Sequence, residues 1–391
     1  MDGNQERVVE MMKIILVAGA RPNFMKVAPI VRELRARSLE YRPDNPTPTT
    51  NNSMLSWKLV HTGQHYDYDM SGSFFEDLEI PEPDHHLEAG SGTHAEQTAK
   101  IMVEFEKVCA AEMPDIVVVV GDVNSTLACS VTAKKMGIRV AHVEAGLRSN
   151  DLAMPEEVNR LVTDSISDYL FVTENSGQEN LLREGKRPDR IFFVGHVMVD
   201  NLFYVRQKLN EEKLGNSEVG KLKQRLGDYA FLTMHRPSNV DDPKTFGGII
   251  DALNEISREV PIVFPVHPRT RHQLNINSFW FSDSVVLFPP LPFKESLYLW
   301  KDALFVLTDS GGLQEETTAL GVPCFTIREN TERPVTIEDG TNRLVGTSPE
   351  GILAAYRDFR NGITKKGRVP ALWDGHAAER IIEIIIAELL P

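Results

Sequence analysis

An α/β fold with parallel sheets, divided between two domains, is what this sequence predicts, and three observations predict it. Runs such as Ile116–Val120 (IVVVV) and Leu304–Thr308 (LFVLT) are continuously apolar or β-branched, as strands covered on both faces are. Most of these runs end in Gly, Asp, Glu or His, and most give way to a stretch with helical apolar spacing. The chain has 391 residues, 41% of them hydrophobic, which is more than a single core usually holds.

Composition narrows the function classes. A net charge of −14 excludes nucleic acid as the main partner. Cys109, Cys129 and Cys324 are few and scattered through apolar segments, as buried thiols in a reducing cytoplasm would be. No metal-ligand spacing occurs, and no apolar run approaches the roughly 20 residues of a membrane span. Met1–Met12 is polar, lacks the apolar core of a signal segment, and is expected to be disordered. The expected organisation is an N-terminal extension over 1–12, a first domain over 13–197, a second over 198–374, and a helix over 375–391 that crosses back to the first, with a hinge at Gly195-His196.

Taken in order, Lys13–Ala18 reads as a buried strand and Gly19-Ala20-Arg21-Pro22-Asn23 turns it into a helix, with Arg21 and Lys26 bringing cations to the strand's carboxyl edge. Open α/β sheets bind ligands at that edge. The ordinary alternative for both cations is surface solvation. Arg42–Ser56 reads as a surface loop, Trp57–Thr62 as a strand ending in Thr62-Gly63-Gln64-His65, and Pro81–Thr93 as a polar loop. A helix over Ala95–Ala111 leads to a strand ending in Gly121-Asp122. A helix over Ser125–Met136 and a strand over Arg139–Val143 follow, the latter ending in Glu144. Asp122 and Glu144 thus close successive strands on one edge, where their carboxylates can converge. Pro155 opens a helix with Glu156 in its first turn, where dipole compensation is the plain alternative. In the second half, strands over Tyr229–Thr233, Pro261–Pro265 and Val285–Phe288 precede Leu304–Thr308, the first two ending near His235 and His267. Thr331-Glu332-Arg333-Pro334 adds a further cation and carboxylate.

The most informative stretch is Leu304–Gly321, a strand, the turn Asp309-Ser310-Gly311-Gly312, and a helix from near Leu313. Two glycines let a ligand approach the backbone, and the free N–H groups and dipole of a helix N-terminus favour a diphosphate. Glu315 and Glu316 lie one turn in, where a carboxylate accepts ribose hydroxyls. The plain alternative is that Asp309 or Ser310 is an N-cap and Gly-Gly a tight turn.

Eight motifs, in order, now stand together: GARPNFMK (Gly19–Lys26), TGQH (Thr62–His65), GD (Gly121-Asp122), HVEAGLR (His142–Arg148), MPEEVNR (Met154–Arg160), HR (His235-Arg236), DSGGLQEE (Asp309–Glu316) and TERP (Thr331–Pro334). The chain from Lys13 onward resembles the non-hydrolysing UDP-N-acetylglucosamine 2-epimerases. The resemblance implies two Rossmann-like domains of the glycosyltransferase-B type with the active site in the cleft between them, a UDP-sugar substrate, and a homodimer. It implies interconversion of UDP-GlcNAc and UDP-ManNAc by elimination of UDP to a 2-acetamidoglucal and its re-addition. No cofactor is expected, since Gly19 lacks the remaining glycines of a G-x-G-x-x-G nicotinamide fingerprint, and no metal, since no metal-ligand cluster appears. Asp122, Glu144, Glu156 and His235 would be catalytic. Arg21, Lys26, Arg160, His267, Ser310, Gly311, Gly312, Glu316 and Arg333 would hold the substrate. A hydrolysing 2-epimerase or a glycosyltransferase acting on a related UDP-sugar, and a non-catalytic nucleotide-sugar binder, are the alternatives. The chain departs from the family pattern at Ala20 and Asn23, where Thr and Glu are usual, at Asp67, at His196, and at Pro237-Ser238 after the HR pair.

Overall fold

The computed structural model describes residues 12–19, 21–39, 55–63 and 78–389, without the side chains of Arg21, Pro22 and Leu39. The disorder expected of Met1–Met12 therefore lies outside the described residues except at Met12, as do Ala20, Gln64, His65, Asp67 and most of the Arg42–Ser56 loop. The described residues up to Asn201, with those from Leu372 on, form one compact unit, and Leu202–Ala371 forms another.

In the first unit the chain runs β1 (Met12–Ala18), α1 (Arg21–Leu39), β2 (Leu55–His61), β3 (His85–His86), α2 (His94–Glu112), β4 (Ile116–Val120), α3 (Asn124–Lys135), β5 (Arg139–Val143), α4 (Pro155–Ile166), β6 (Tyr169–Val172), α5 (Asn175–Arg183) and β7 (Ile191–Phe193). Helix α6 (Val197–Gln207) follows, and then α7 (Glu211–Gly215), α8 (Glu218–Leu226), β8 (Ala230–Thr233), α9 (Pro237–Val240), α10 (Pro243–Ile256), β9 (Ile262–Pro265) and α11 (Pro268–Asn277). The second unit closes with β10 (Val285–Phe288), α12 (Phe293–Trp300), β11 (Val306–Thr308), α13 (Gly311–Leu320), β12 (Cys324–Thr326), α14 (Pro334–Glu338), β13 (Asn342–Leu344) and α15 (Pro349–Arg360), before α16 (Ala377–Leu389).

The first sheet has strand order β3-β2-β1-β4-β5-β6-β7 and the second β10-β9-β8-β11-β12-β13, with every pairing parallel. Each unit is thus a doubly wound Rossmann-like sheet, as the periodicity predicts. β1 and β4 pair through Ile14↔Ile116 to Leu16↔Val118, and β8 and β11 through Val306↔Phe231 to Thr308↔Thr233. Strands this apolar must be covered on both faces. In the first unit Ile15, Val17, Val117 and Val119 pack with Ile101 and Phe105 of α2 and Ala128 and Cys129 of α3. In the second, Leu232, Phe264 and Leu307 pack with Phe246, Ile250 and Leu253 of α10 and Ile352 of α15. The broad apolar stripe of α16 buries Ile381, Ile382 and Ile385, and its first turn is capped by Asp200, whose carboxylate accepts Ala377 N–H at 3.1 Å and Ala378 N–H at 2.7 Å.

Local differences from the sequence expectations have local causes. The strand over Leu304–Thr308 begins only at Val306, and the helix after it at Gly311 rather than Leu313, because glycines opening a helix leave no apolar signal to read. The Pro81–Thr93 loop contains the two-residue strand β3, too short for any alternation to show.

Candidate active site

In a doubly wound sheet, ligands meet the carboxyl ends of the two strands where the winding reverses. Those strands are β1 and β4 in the first unit, and β8 and β11 in the second.

At the β1/β4 end, Asn23 joins the two turns. Its Oδ1 accepts Gly19 N–H at 3.0 Å and its Nδ2 donates to Val120 O at 2.7 Å. Gly121 follows with φ +72°, a conformation that favours glycine, and a Cβ there would lie 3.3 Å from Lys26 Nζ. Lys26 forms an ion pair with Glu144, which is buried. Glu144 sits at φ +72°, where a residue with a Cβ pays about 1–2 kcal/mol. Its N–H and that of Ala145 both donate to Phe171 O at 3.0 Å, which bends the end of β5 and holds that conformation. Strain of this kind, kept in place by surrounding bonds, gathers at functional positions.

Helix α4 supports the same edge. Arg160 pairs with the Asp122 carboxylate, and Asn159 Nδ2 donates to Asp122 O at 2.9 Å. Glu157, buried, accepts Ser149 N–H at 2.9 Å and Asn150 N–H at 3.1 Å, whereas Glu156 beside it is exposed. Asp164 meets His142 Nδ1 at 2.6 Å, the Gly146 N–H at 3.0 Å and Arg148 at 2.7 Å, while His142 Nε2 lies 2.8 Å from Gly121 O. Burial pushes the Asp164 carboxyl up, and His142 and Arg148 together outweigh it and hold the group low. A chain of buried charge thus braces the Gly121-Asp122 turn from beneath.

At the β8/β11 end, Asp309 is wholly buried and binds the turn after β8 instead of the helix after β11. Ser310 occupies the N-cap position of α13 but makes no side-chain cap, its N–H donating instead to Thr308 Oγ1 at 2.9 Å. The simple N-cap alternative for Asp309 and Ser310 therefore fails, and the first turn of α13 keeps N–H groups available. Gly311 faces Arg333, whose Cζ would be 3.3 Å from a Cβ at that position. Arg333 pairs with Glu315 at 2.8 Å. Glu316 is buried alongside, and desolvation, then the Glu315 charge, raise its pKa from 4.5 to about 8. His235 lies beside His267 with ring centroids 5.4 Å apart. Arg236 donates from Nε to Asp309 O at 2.9 Å, and burial, then the Arg328 cation, lower its pKa.

The thirteen residues picked out from sequence thus fall into two sets. Asp122, Glu144, Lys26 and Arg160 are brought together at the first switch point, with Arg21 opening α1 and Glu156 opening α4. His235, His267, Ser310, Gly311, Gly312, Glu316 and Arg333 lie at or beside the second. The cations expected to hold the substrate, Lys26 and Arg160, are paired here with the carboxylates expected to be catalytic. Sequence reading named Asn23 only as part of the first turn and a departure from the family pattern, missed Asp164, and gave Asp309 no role beyond breaking the strand, with a cap as the plain alternative. Among the described residues no three His, Cys, Asp or Glu side chains are placed to hold a metal, and no helix is long and apolar enough to cross a membrane.

Comparison with known proteins agrees with this geometry. A family model described as UDP-N-acetylglucosamine 2-epimerase matches residues 48–386. The UDP-N-acetylglucosamine 2-epimerase of Methanocaldococcus jannaschii is 40% identical over 384 residues, 96% of this chain and 99% of that protein. The UDP-2,3-diacetamido-2,3-dideoxy-D-glucuronate 2-epimerase of Pseudomonas aeruginosa is 37% identical, covering 96% of this chain and 99% of its own. The crystal structure of the M. jannaschii enzyme in complex with UDP-GlcNAc and UDP superposes with a TM-score of 0.78 over 96% of this chain and all of that one. The Neisseria meningitidis UDP-GlcNAc 2-epimerase bound to UDP-GlcNAc, 26% identical, gives 0.82 over 96% of this chain and 100% of its own. With the family model spanning most of the chain and relatives of this identity matched along nearly their whole length, the chain belongs to the UDP-N-acetylglucosamine 2-epimerase family.

Proposed function

We propose that the chain interconverts UDP-GlcNAc and UDP-ManNAc through elimination and re-addition of UDP. The observation that carries this reading is the pairing of a strained, buried Glu144 with Lys26 next to Asp122 and Arg160 at one switch point, in a family named for this epimerisation. The C2 proton is not adjacent to a carbonyl, so its direct removal is hard. Departure of UDP first creates an oxocarbenium-like centre that makes it acidic. Asp122, Glu144 and Glu156 move the proton and stabilise the positive charge. Ser310, Gly311 and Gly312 take the diphosphate on the free N–H groups of α13, Glu316 takes the ribose, and His235, His267, Arg21 and Arg333 assist at the leaving group.

Turnover of UDP-GlcNAc in deuterated water, followed by NMR, tests the route. UDP-ManNAc carrying deuterium at C2 is expected. Free ManNAc plus UDP would instead identify the hydrolysing alternative, and epimerised product without label at C2 would sink the elimination path. Running the same assay with UDP-2,3-diacetamido-2,3-dideoxy-D-glucuronate decides the sugar, since a relative of nearly equal identity is named for it.

Ribose recognition has its own test. Glu316→Ala should weaken UDP binding in calorimetric titration by about 1–3 kcal/mol, the scale of leaving a buried hydrogen-bond partner unsatisfied. Affinity within a few tenths of a kcal/mol of the parent would leave Glu316 a structural residue of α13.

The protein acts as a homodimer in a reducing cytoplasm, a reading supported by free, buried Cys109, Cys129 and Cys324 and by apolar side chains left at the surface around α4. Leu152 is 72% exposed, Val158 41% and Val162 37%, the last two one helical turn apart. A Val158→Asp/Val162→Asp variant should sediment as a folded monomer. A parent that sediments as a monomer, or a variant that remains a dimer, overturns the assignment.

A further inference from the structure

Asp309 closes β11, is wholly buried, and leaves the helix after it uncapped. Its Oδ2 accepts the backbone N–H groups of His235 and Arg236, each at 2.8 Å, and the Nδ2–H of Asn239 at 3.3 Å. Its Oδ1 has no aligned donor among the described residues and lies 3.0 Å from His235 Nδ1. A buried oxygen without a hydrogen bond is costly, and a small rotation of the ring that aligns Nδ1–H removes that cost. His267 next to it is arranged the other way. Its Nδ1 accepts Arg269 N–H at 3.2 Å and so carries no proton, and burial, then the His235 charge, lower its pKa. Two adjacent rings at neighbouring strand ends therefore present opposite nitrogens.

We propose that Asp309 is a positioning residue for His235, fixing a proton on Nδ1 and leaving Nε2 as the only ring nitrogen free to meet the departing diphosphate. The proposal rests on the epimerase reading. In that reaction the C1–O bond breaks and its electron pair goes to the β-phosphate oxygen. An Nε2–H of the doubly protonated ring donates a hydrogen bond to that oxygen, and re-addition reverses both events, so no further reactant is needed. Asp309 reaches the reaction only through the imidazole, in the way the carboxylate of a catalytic triad holds its histidine. The alternative is that Asp309 serves only as a clamp on the two backbone N–H groups after β8.

Asp309→Asn separates the two. The amide oxygen still accepts the backbone N–H groups, but an NH2 now faces Nδ1 and draws its lone pair, so the neutral-ring proton moves to Nε2 and Nδ1 can no longer take the second proton, which leaves the ring a neutral donor without the positive charge that meets the departing diphosphate. Nitrogen-15 NMR of the full-length, histidine-labelled protein, with the His235 signal assigned by its loss in His235→Gln, reads the tautomer directly. The parent should show Nδ1–H and the variant Nε2–H. Turnover should fall on the order of a hundred- to ten-thousand-fold, UDP affinity should weaken by a smaller factor, and the melting temperature should stay close to the parent's. An Nε2–H tautomer in the parent overturns the proposal even if the variant does not fold. So does a variant that loses activity, UDP affinity and melting temperature in step while its tautomer stays on Nδ1. The tautomer is read without substrate, so failure of the epimerase assay leaves this test intact, and failure of this test leaves the epimerase reading intact.

Discussion

Glu144→Gln should lower turnover roughly 10²–10⁴-fold, the usual contribution of a positioned acid or base, while UDP affinity stays within about twofold in calorimetry. The expectation follows from where the residue is held. Glu144 has 1% of its surface exposed, a left-handed backbone at φ +72°, and Lys26 against its carboxylate. A residue kept in that conformation at such a cost is poorly explained by packing alone. The diphosphate and ribose contacts assigned above belong to the turn of α13, which the substitution does not touch. The opposing account makes Glu144 only the counter-ion of Lys26. Removing one partner of a buried pair then leaves an uncompensated charge and costs about 3–5 kcal/mol, less here because Lys26 keeps 13% of its side chain in contact with water. Under that account Lys26→Met should restore both stability and turnover to Glu144→Gln. Under ours the double variant regains stability and stays inactive, so the melting temperature and the rate measured on one double variant decide the matter.

How much of this was legible in the residues depended on the kind of signal. The parallel sheets were readable because strands such as IVVVV have no polar face and can only be covered on both sides. Both switch points were readable in outline, since Gly121-Asp122, Glu144, His235 and Ser310-Gly311 all interrupt apolar runs at their carboxyl ends. Charge pairing was not. Lys26 and Arg160 looked like anion ligands because cations near a binding edge usually are, but each has found a carboxylate within its own unit. A sequence states the presence of opposite charges and not which of several will share a turn. Asp309 was hidden for a related reason. An Asp before Ser-Gly-Gly reads as a cap, and only the parallel register of β8 and β11, with Thr308 opposite Thr233, brings its carboxylate to the N–H groups of His235 and Arg236. Asn23 replaces a residue usual in the family and still joins the ends of β1 and β4, a geometric role that any single position conceals.

The second unit should lose stability as pH rises from about 5 to 8, and Glu316→Gln should abolish most of that loss. Desolvation first, and the neighbouring Glu315 charge second, raise the Glu316 pKa from 4.5 to about 8. Between those two values the folded protein holds a proton that the unfolded chain has already released. Stability from this group is therefore complete below about pH 4.5 and drains away as pH climbs through the folded value. One such proton gives a slope of about 1.4 kcal/mol per pH unit across the window. Asp200, in the first unit, carries a change of the same sign over a lower window, burial raising it from 3.8 to about 6 despite its bonds to Ala377 and Ala378. A whole-protein melt therefore mixes the two. Hydrogen exchange of the β11 and β12 amides reads the second unit alone, and Asp200→Asn flattens only the first unit's share. A neutral glutamine at 316 fits the site that a protonated carboxyl already fills, so the variant should match the parent at pH 5 and exceed it at pH 8. Equal protection of β11 in parent and variant at pH 8 would mean that Glu316 is ionised in the fold, its charge met by a partner, and that no proton is gained there on folding.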